Sequence, residues 1–394
     1  MKSILFVIPT MRMGGAEKAL VSLLKALDPN RCNIDLLLFE AGGVLQSELP
    51  DYVNVTEADA VTRGMVLEMR YFLGDVIKSG AVGAAIDRIR ITLNSKINAK
   101  LGKASVFSWG VIEKHMPKLE KHYDVAFGFL EGFTDFYIID KVDADKKIGW
   151  IHTDMSKRVL PVQELELYKK FDALATISEL CKDTFIKLLP EIEDRISVVE
   201  NIVLAEDIIS KAKEPLDAQW DKNKTHIVTV GRLEYAKGID VGVKVCKILK
   251  EHGIEICWHV YGDGSMRDEI SQMINENGLD EHYVLEGLTA NPYPYINAAD
   301  ILVQPSRWEG KSVVLDEAKI LGKAIVTTAY PSVTDQIADG ITGIITGMEP
   351  EEIADGIERV LADGKFRKEL ERNCANEENR SIKALNRFYD LVEI

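Results

Sequence analysis

The stretch HIVTVGRLEYAKGIDVGVKVCKILKEHGIEICWHVY (residues 226–261) decides the fold. His226–Val230 and Cys257–Tyr261 are short apolar runs, as expected for strands buried on both faces of a parallel sheet. Between them, Val241–His252 spaces its apolar residues as a helix does. Strand, helix, strand is the repeating unit of an open α/β sheet. Downstream the alternation continues, with strands expected at Tyr283–Glu286, Ile301–Gln304 and Ala324–Thr328, and helices at Met266–Asn277 and Val313–Leu321. Upstream a first series is expected at Ile4–Ile8, Ile34–Phe39, Val125–Phe129, Ile148–Ile151, Ala173–Ile177 and Ile196–Val199, with a helix at Ala16–Leu27. Two series imply two Rossmann-like doubly wound domains, 1–204 and 205–379, joined by the polar, strand-poor stretch 204–224. The segment 380–394 holds a last helix, Ser381–Val392, with Ile382, Leu385, Phe388 and Leu391 at helical spacing. It is a candidate to pack back on the first domain.

Composition bounds the function. The 394 residues are 46% hydrophobic and 28% charged, the profile of a globular protein. A net charge of −15 argues against nucleic acid as a partner, since phosphate backbones need clustered Lys and Arg. No charge-free run approaches the roughly 20 apolar residues of a membrane span. The opening run Ile4–Ile8 is too short for a signal peptide. The five cysteines are scattered without a C-x-x-C pair, and read as reduced packing residues of a cytoplasmic protein. No His/Cys/Asp/Glu group has zinc spacing, so no metal site is expected. Asp143-Ala144-Asp145 has the spacing of a metal-holding pair, but it precedes a strand among lysines and reads as a solvated turn. The segment 63–121 runs against the overall charge, with eleven Lys and Arg against five Asp and Glu. Within it, 86–103 interleaves apolar and basic residues. That suits an anionic membrane surface or an acidic acceptor, and equally a solvated helical face.

In open α/β sheets, ligands bind beyond the carboxyl ends of the strands. Five loops there carry chemistry. After His226–Val230, Arg232 and Lys237 place a planar fork and a point charge where a diphosphate could sit. After Ile301–Gln304, Glu309 stands just before a helix N-terminus and Glu317 lies about one turn inside, with Ser312 at the cap position. The free N–H groups of such a turn attract anions, and Glu317 can accept ribose hydroxyls. Gly14-Gly15 follows the first strand and lets a ligand approach the backbone. His152 ends a first-domain strand. Gly262 and Gly264 resemble part of a dinucleotide fingerprint, but Arg267 replaces its third glycine, so NAD binding carries little weight.

These residues carry a resemblance. GGAEKALVSLL (14–24), WIHTD (150–154), ISEL (177–180), TVGRLEYAKG (229–238), YGDGSMRDEI (261–270), AADILVQPSRWEGKSVVLDEA (298–318) and DGITGIIT (339–346) occur in the order found in retaining glycosyltransferases of family four. The resemblance spans nearly the whole chain and implies the GT-B fold, two Rossmann-like domains facing a central cleft. It implies transfer of a sugar from a nucleotide donor, most often UDP-linked, to a glycan or lipid-linked acceptor in surface polysaccharide synthesis. It further implies no cofactor and no metal, and a place in the cytoplasm or at the inner face of the cell membrane. By position, Arg232 and Lys237 would hold the donor diphosphate, and Glu309 and His152 the donor sugar. Glu317 would hold the ribose, and the backbone of Gly14, Gly15, Lys311, Ser312 and Val313 the phosphates. Gly262, Gly264 and Gly310 would complete the donor site. The sequence departs from the common pattern at Gly310-Lys311-Ser312. A nucleotide-sugar epimerase on the same fold and a non-catalytic nucleotide-sugar binder are the competing readings.

Overall fold

The computed structural model describes the chain except residues 13, 68–75, 77, 101–108, 154, 156–159, 218–219 and 378–380, and the side chains of 95–100. Asp154, residues 101–103 and the Lys96 and Lys100 side chains, all invoked above, therefore lie outside the described residues. The described residues form two compact units, Met1–Glu200 with Lys383–Ile394, and Asn201–Ile382.

The first unit holds a seven-stranded sheet. Its strands are β1 (Lys2–Thr10), β2 (Cys32–Glu40), β3 (Val53–Glu57), β4 (His122–Gly128), β5 (Asp143–Ile151), β6 (Ala173–Thr176) and β7 (Ile196–Val198). The second holds six: β8 (Thr225–Val230), β9 (Ile256–Tyr261), β10 (Tyr283–Gly287), β11 (Ile301–Gln304), β12 (Ile325–Thr328) and β13 (Ile344–Thr346). The orders are β3-β2-β1-β4-β5-β6-β7 and β10-β9-β8-β11-β12-β13. All pairings between these strands are parallel. Strand order reverses between β1 and β4 in one sheet and between β8 and β11 in the other, and the loops leaving a reversal point diverge to leave a crevice. The apolar runs were long enough to show eleven of these strands. β3 (VNVTE) is an edge strand whose polar alternate residues hide it, and β13 (IIT) is three residues long.

Two expectations need correction. Asp143-Ala144-Asp145 is no turn but the first part of β5, where its carboxylates face the two ring nitrogens of His122 at 3.0 and 3.3 Å. The terminal helix Ser381–Val392 buries Ala384, Phe388, Tyr389, Leu391 and Val392, while Ile382 is exposed.

That helix completes the first core. The Phe388 ring lies 5.6 Å from Phe127 and 6.3 Å from both Phe6 and Trp150. Tyr389 Oη accepts from the Asp28 N–H at 3.0 Å, and Lys2 and Lys146 donate to the last helical carbonyls, Val392 and Leu391. Phe388→Ala is expected to destabilise the first unit by about 3–5 kcal/mol, as for a fully buried aromatic. Ile382→Ala should stay within about 0.5 kcal/mol. Urea denaturation followed by tryptophan fluorescence checks both.

Candidate active site

In the second unit β8 and β11 lie side by side at the reversal point, with Ile227 in register with Ile301 and Val228 with Leu302, so the loops that leave them are neighbours. Leaving β8, the chain makes the loop 231–238 and enters the helix Ile239–Glu251. Gly238 sits at the left-handed φ of 64°, and a Cβ there would meet the Pro305 carbonyl oxygen at 1.9 Å. Only glycine lets the β8 and β11 loops approach so closely. Arg307 fastens them. Its guanidinium donates to both Asp240 oxygens at 2.6 and 2.7 Å and to the Tyr235 carbonyl at 2.7 Å, and it stacks over the Tyr235 ring. Burial raises the Asp240 carboxyl, but the Arg307 bonds outweigh it and hold the group below its ordinary value.

Across this contact Lys237 Nζ donates to both oxygens of Glu309, at 2.7 and 2.6 Å. Gln304 Nε2 and Ser306 Oγ donate to the same carboxylate at 2.6 and 2.7 Å. Glu309 is 8% exposed, so four hydrogen bonds and a cation replace the water it has lost. The residues expected to act apart, Lys237 on a diphosphate and Glu309 on a sugar, are thus an ion pair. Arg232, in the same β8 loop, is exposed, and among the described residues no hydrogen bond engages its guanidinium.

Beyond Gly310, the helix Val313–Ile320 begins with Ser312 at the cap position, but the Ser312 hydroxyl makes no cap bond and donates instead to Gln304 Oε1 at 2.9 Å. The Ser312 N–H donates to Gln336 Oε1 at 2.7 Å, and Gln336 Nε2 returns a bond to the Ser312 carbonyl. This corrects the expectation for one amide: the Ser312 N–H is already engaged by a side chain. Inside the helix Glu317 is buried and accepts from the Tyr293 hydroxyl at 2.9 Å.

Gly262 and Gly264 have a packing reason. A Cβ on Gly262 would meet the Gly231 carbonyl oxygen at 1.8 Å, and one on Gly264 the Leu233 carbonyl oxygen at 2.5 Å. They let the β9 loop lie against the β8 loop, where Ser265 donates twice to Glu234, at 3.1 and 2.9 Å. Glu286, which a dinucleotide site would turn to a ribose, accepts from His259 Nδ1 at 2.7 Å.

Gly14, Gly15 and His152 belong to the first unit, at the carboxyl ends of β1 and β5. Gly15 opens the helix Gly15–Ala26, and a Cβ on it would meet nothing within 4 Å. Between those strands, after β4, Glu131 accepts from the N–H groups of His152 and Thr153 and from the Thr153 hydroxyl, at 2.5–2.8 Å. The His152 ring stacks by Phe129 and Trp150, and its Nε2, sealed from solvent, has no hydrogen-bond partner among the described residues. Burial pushes the imidazole down to about 4, against an opposing pull from the Glu131 carboxylate. His152 is therefore neutral at pH 7. Arg307, Asp240, Gln336 and Glu131 were not foreseen. The only sequence signal for the first two was an Arg in the β11 loop and an Asp in a first helical turn.

Two predictions follow from this geometry. Lys237→Ala leaves the Glu309 carboxylate buried without its cation and is expected to cost about 3 kcal/mol, the lower end for a broken buried pair because Lys237 is partly exposed. Adding Glu309→Gln should recover most of it in chemical denaturation. For His152 the folded state favours the neutral ring. Its contribution is therefore whole above the unfolded value near 6.5 and is lost as pH falls from there toward about 4. Denaturation midpoints of His152→Gln should fall less steeply than wild type across that window.

Residues 210–377 match the family model of glycosyl transferases group 1. An uncharacterized glycosyltransferase of Methanocaldococcus jannaschii is 26% identical over 240 residues, 58% of this chain and 60% of that protein. The poly(ribitol-phosphate) alpha-N-acetylglucosaminyltransferase of Staphylococcus aureus is 27% identical over 164 residues, 41% of this chain and 32% of that protein. The chain thus spans between about a third and three fifths of these relatives' lengths. Among solved structures, Anabaena HepE in complex with UDP and glucose covers the whole chain, and is wholly covered by it, at 17% identity and a TM-score of 0.71. Residues 210–377 are thus similar to glycosyl transferases group 1, and the chain has the GT-B fold.

Proposed function

We propose that the protein is a retaining glycosyltransferase. It moves a sugar from a nucleotide-diphosphate donor, UDP-linked, to a glycan or lipid-linked acceptor in the assembly of a surface polysaccharide. The observation that carries this reading is the meeting of Arg232, Lys237, Glu309 and a helix N-terminus at the β8–β11 reversal point. Breaking a sugar–diphosphate bond leaves an anion and builds positive charge on the sugar. Fixed cations and helix N–H groups stabilise that anion without reorganising. Arg232 is free to engage the diphosphate, and Lys237 would exchange its Glu309 bond for a phosphate oxygen. Glu309, released, would face the donor sugar, and Glu317 the ribose in place of the Tyr293 hydroxyl. The departing phosphate can take the acceptor's proton, so no side chain has to serve as base. No cofactor is invoked. The name of the S. aureus relative records an α-glycosyl product, which is retention when the donor is α-linked, and HepE was crystallised with UDP and glucose.

The acceptor side of the proposal rests on the helix Val82–Lys100. Val82, Ile86, Ile89 and Leu93 are exposed along it, with Arg90 alongside. No helix of the described residues is long and apolar enough to cross a membrane. We propose contact with an anionic membrane surface on the cytoplasmic side, where a lipid-linked acceptor would lie.

The first test is thermal stabilisation by UDP, GDP, ADP and CMP. A ligand at a hundredfold excess over its Kd stabilises by about 2.7 kcal/mol. UDP is expected to shift the midpoint, and Arg232→Ala and Glu317→Ala to abolish the shift. Consumption of a UDP-sugar with acceptor and retained anomeric configuration, read by NMR, supports transfer. Interconversion without acceptor would move the assignment to an epimerase, and no consumption of any donor to a binder. Charge reversal at Arg88 and Arg90 should weaken binding to vesicles containing phosphatidylglycerol. Unchanged binding would remove the membrane from the proposal.

A further inference from the structure

A second cluster of ligating side chains lies near the amino ends of β8 and β9, away from the carboxyl-end loops just described. Cys257 and His259 are two apart on β9 and so share a face. His226 on β8 is in register with Cys257. One ligand atom of each of the three lies within 4.8 Å of the other two.

The hydrogen bonds around the two rings fix their tautomers. His226 Nε2 faces the Asp221 carbonyl at 2.8 Å, which can only accept, so Nε2 carries the hydrogen. His259 Nδ1 faces the Glu286 carboxylate at 2.7 Å, so Nδ1 carries the hydrogen there. In the neutral rings the lone pairs are therefore on His226 Nδ1 and His259 Nε2, and these two atoms face each other at 3.0 Å. Facing lone pairs repel, and something positive must lie between them. The indole of Trp220 stacks on both rings, at 4.6 Å from His226 and 4.2 Å from His259.

We propose that His226, Cys257 and His259 bind a divalent metal ion of the zinc class, which links β8 to β9. Zinc takes nitrogen at about 2.0–2.1 Å and thiolate sulfur at about 2.3 Å in tetrahedral array, which sets two nitrogens roughly 3.3 Å apart, a small adjustment from the separation seen. The outer partners also fit. Metal-bound imidazoles donate their other N–H to a carboxylate or a carbonyl, and Glu286 and Asp221 are one of each. Glu286 is exposed and Cys257 partly so, which gives the ion a way in. The fourth position falls to water. Burial raises the Cys257 thiol, against a downward pull from Lys224, so without metal it stays protonated. Binding releases that proton together with any proton shared between the rings. The site carries no step of sugar transfer and does not rest on that reading.

The test uses the full chain, stripped with a chelator and titrated with Co²⁺. One Co²⁺ per chain is expected, with thiolate-to-cobalt charge-transfer absorption that added Zn²⁺ abolishes, and with a rise in Tm. Cys257→Ser should remove the absorption and the Tm rise and weaken Zn²⁺ binding at least tenfold. Its circular dichroism should match wild type, showing that it folds. Glu286→Gln should keep the absorption and weaken binding about 10- to 100-fold. Absence of the absorption in wild type, or Zn²⁺ binding and Tm shifts equal in wild type and Cys257→Ser, overturns the proposal. A proton shared by the two rings would then account for their contact.

Discussion

Lys237 and Glu309 meet at 2.6 Å where the β8 and β11 loops come together. Everything around the pair serves to hold it there. β8 and β11 must be neighbours for the two loops to meet, which the parallel order with its reversal provides. Gly238 must lack a Cβ for the backbones to touch. Arg307 must grip Asp240 and Tyr235 for the β11 loop to stay down. Gln304 and Ser306 then donate to the Glu309 carboxylate, and the Ser332 hydroxyl donates to the Glu309 backbone carbonyl. A buried ion pair of this kind contributes little net stability, because desolvation offsets most of the attraction. Its value lies in position: a cation and a carboxylate are kept ready at a strand end, and each can be released to a ligand that offers an equivalent bond.

The two ends of the second sheet differ in what they do with charge. At the carboxyl end Arg232 stands exposed while Lys237 and Arg307 are held in ion pairs. At the amino end the rings of His226, His259 and Trp220 are stacked. The polar groups between them are satisfied: Thr229 donates to the Val303 carbonyl at 2.6 Å and accepts from Trp258 Nε1 at 2.9 Å. The sheet interior therefore has no loose polarity to reorganise while charge moves at its edge.

Much of this was legible in the sequence because parallel strands buried on both faces read as plain apolar runs. The carboxyl-end rule then pointed to Arg232, Lys237, Glu309 and Glu317 before any coordinates. What escaped has a common cause. β3 is half polar because it is an edge, and β13 is too short to show a period. Arg307, Gln336 and Glu131 act through partners tens of residues away, and single residues carry no periodicity. His226, Cys257 and His259 escaped for the same reason, since metal spacing in sequence is a property of local loops and here two strands 30 residues apart supply the ligands. Ser312 does hold the cap position read from local preference, but its hydroxyl and N–H bond to Gln304 and Gln336 in place of a side-chain cap bond.

The return of Ser381–Val392 to the first unit has a consequence for how the chain is made. Phe6 and Phe388, nearly a whole chain length apart, lie in one aromatic cluster. At roughly 5–20 residues per second, a ribosome needs about 20 to 80 s to deliver the second partner after the first. Through that interval β1, β4 and β5 hold an apolar face without its cover, while the contiguous second unit can close by itself as it emerges. The first unit, though begun earlier, is completed last.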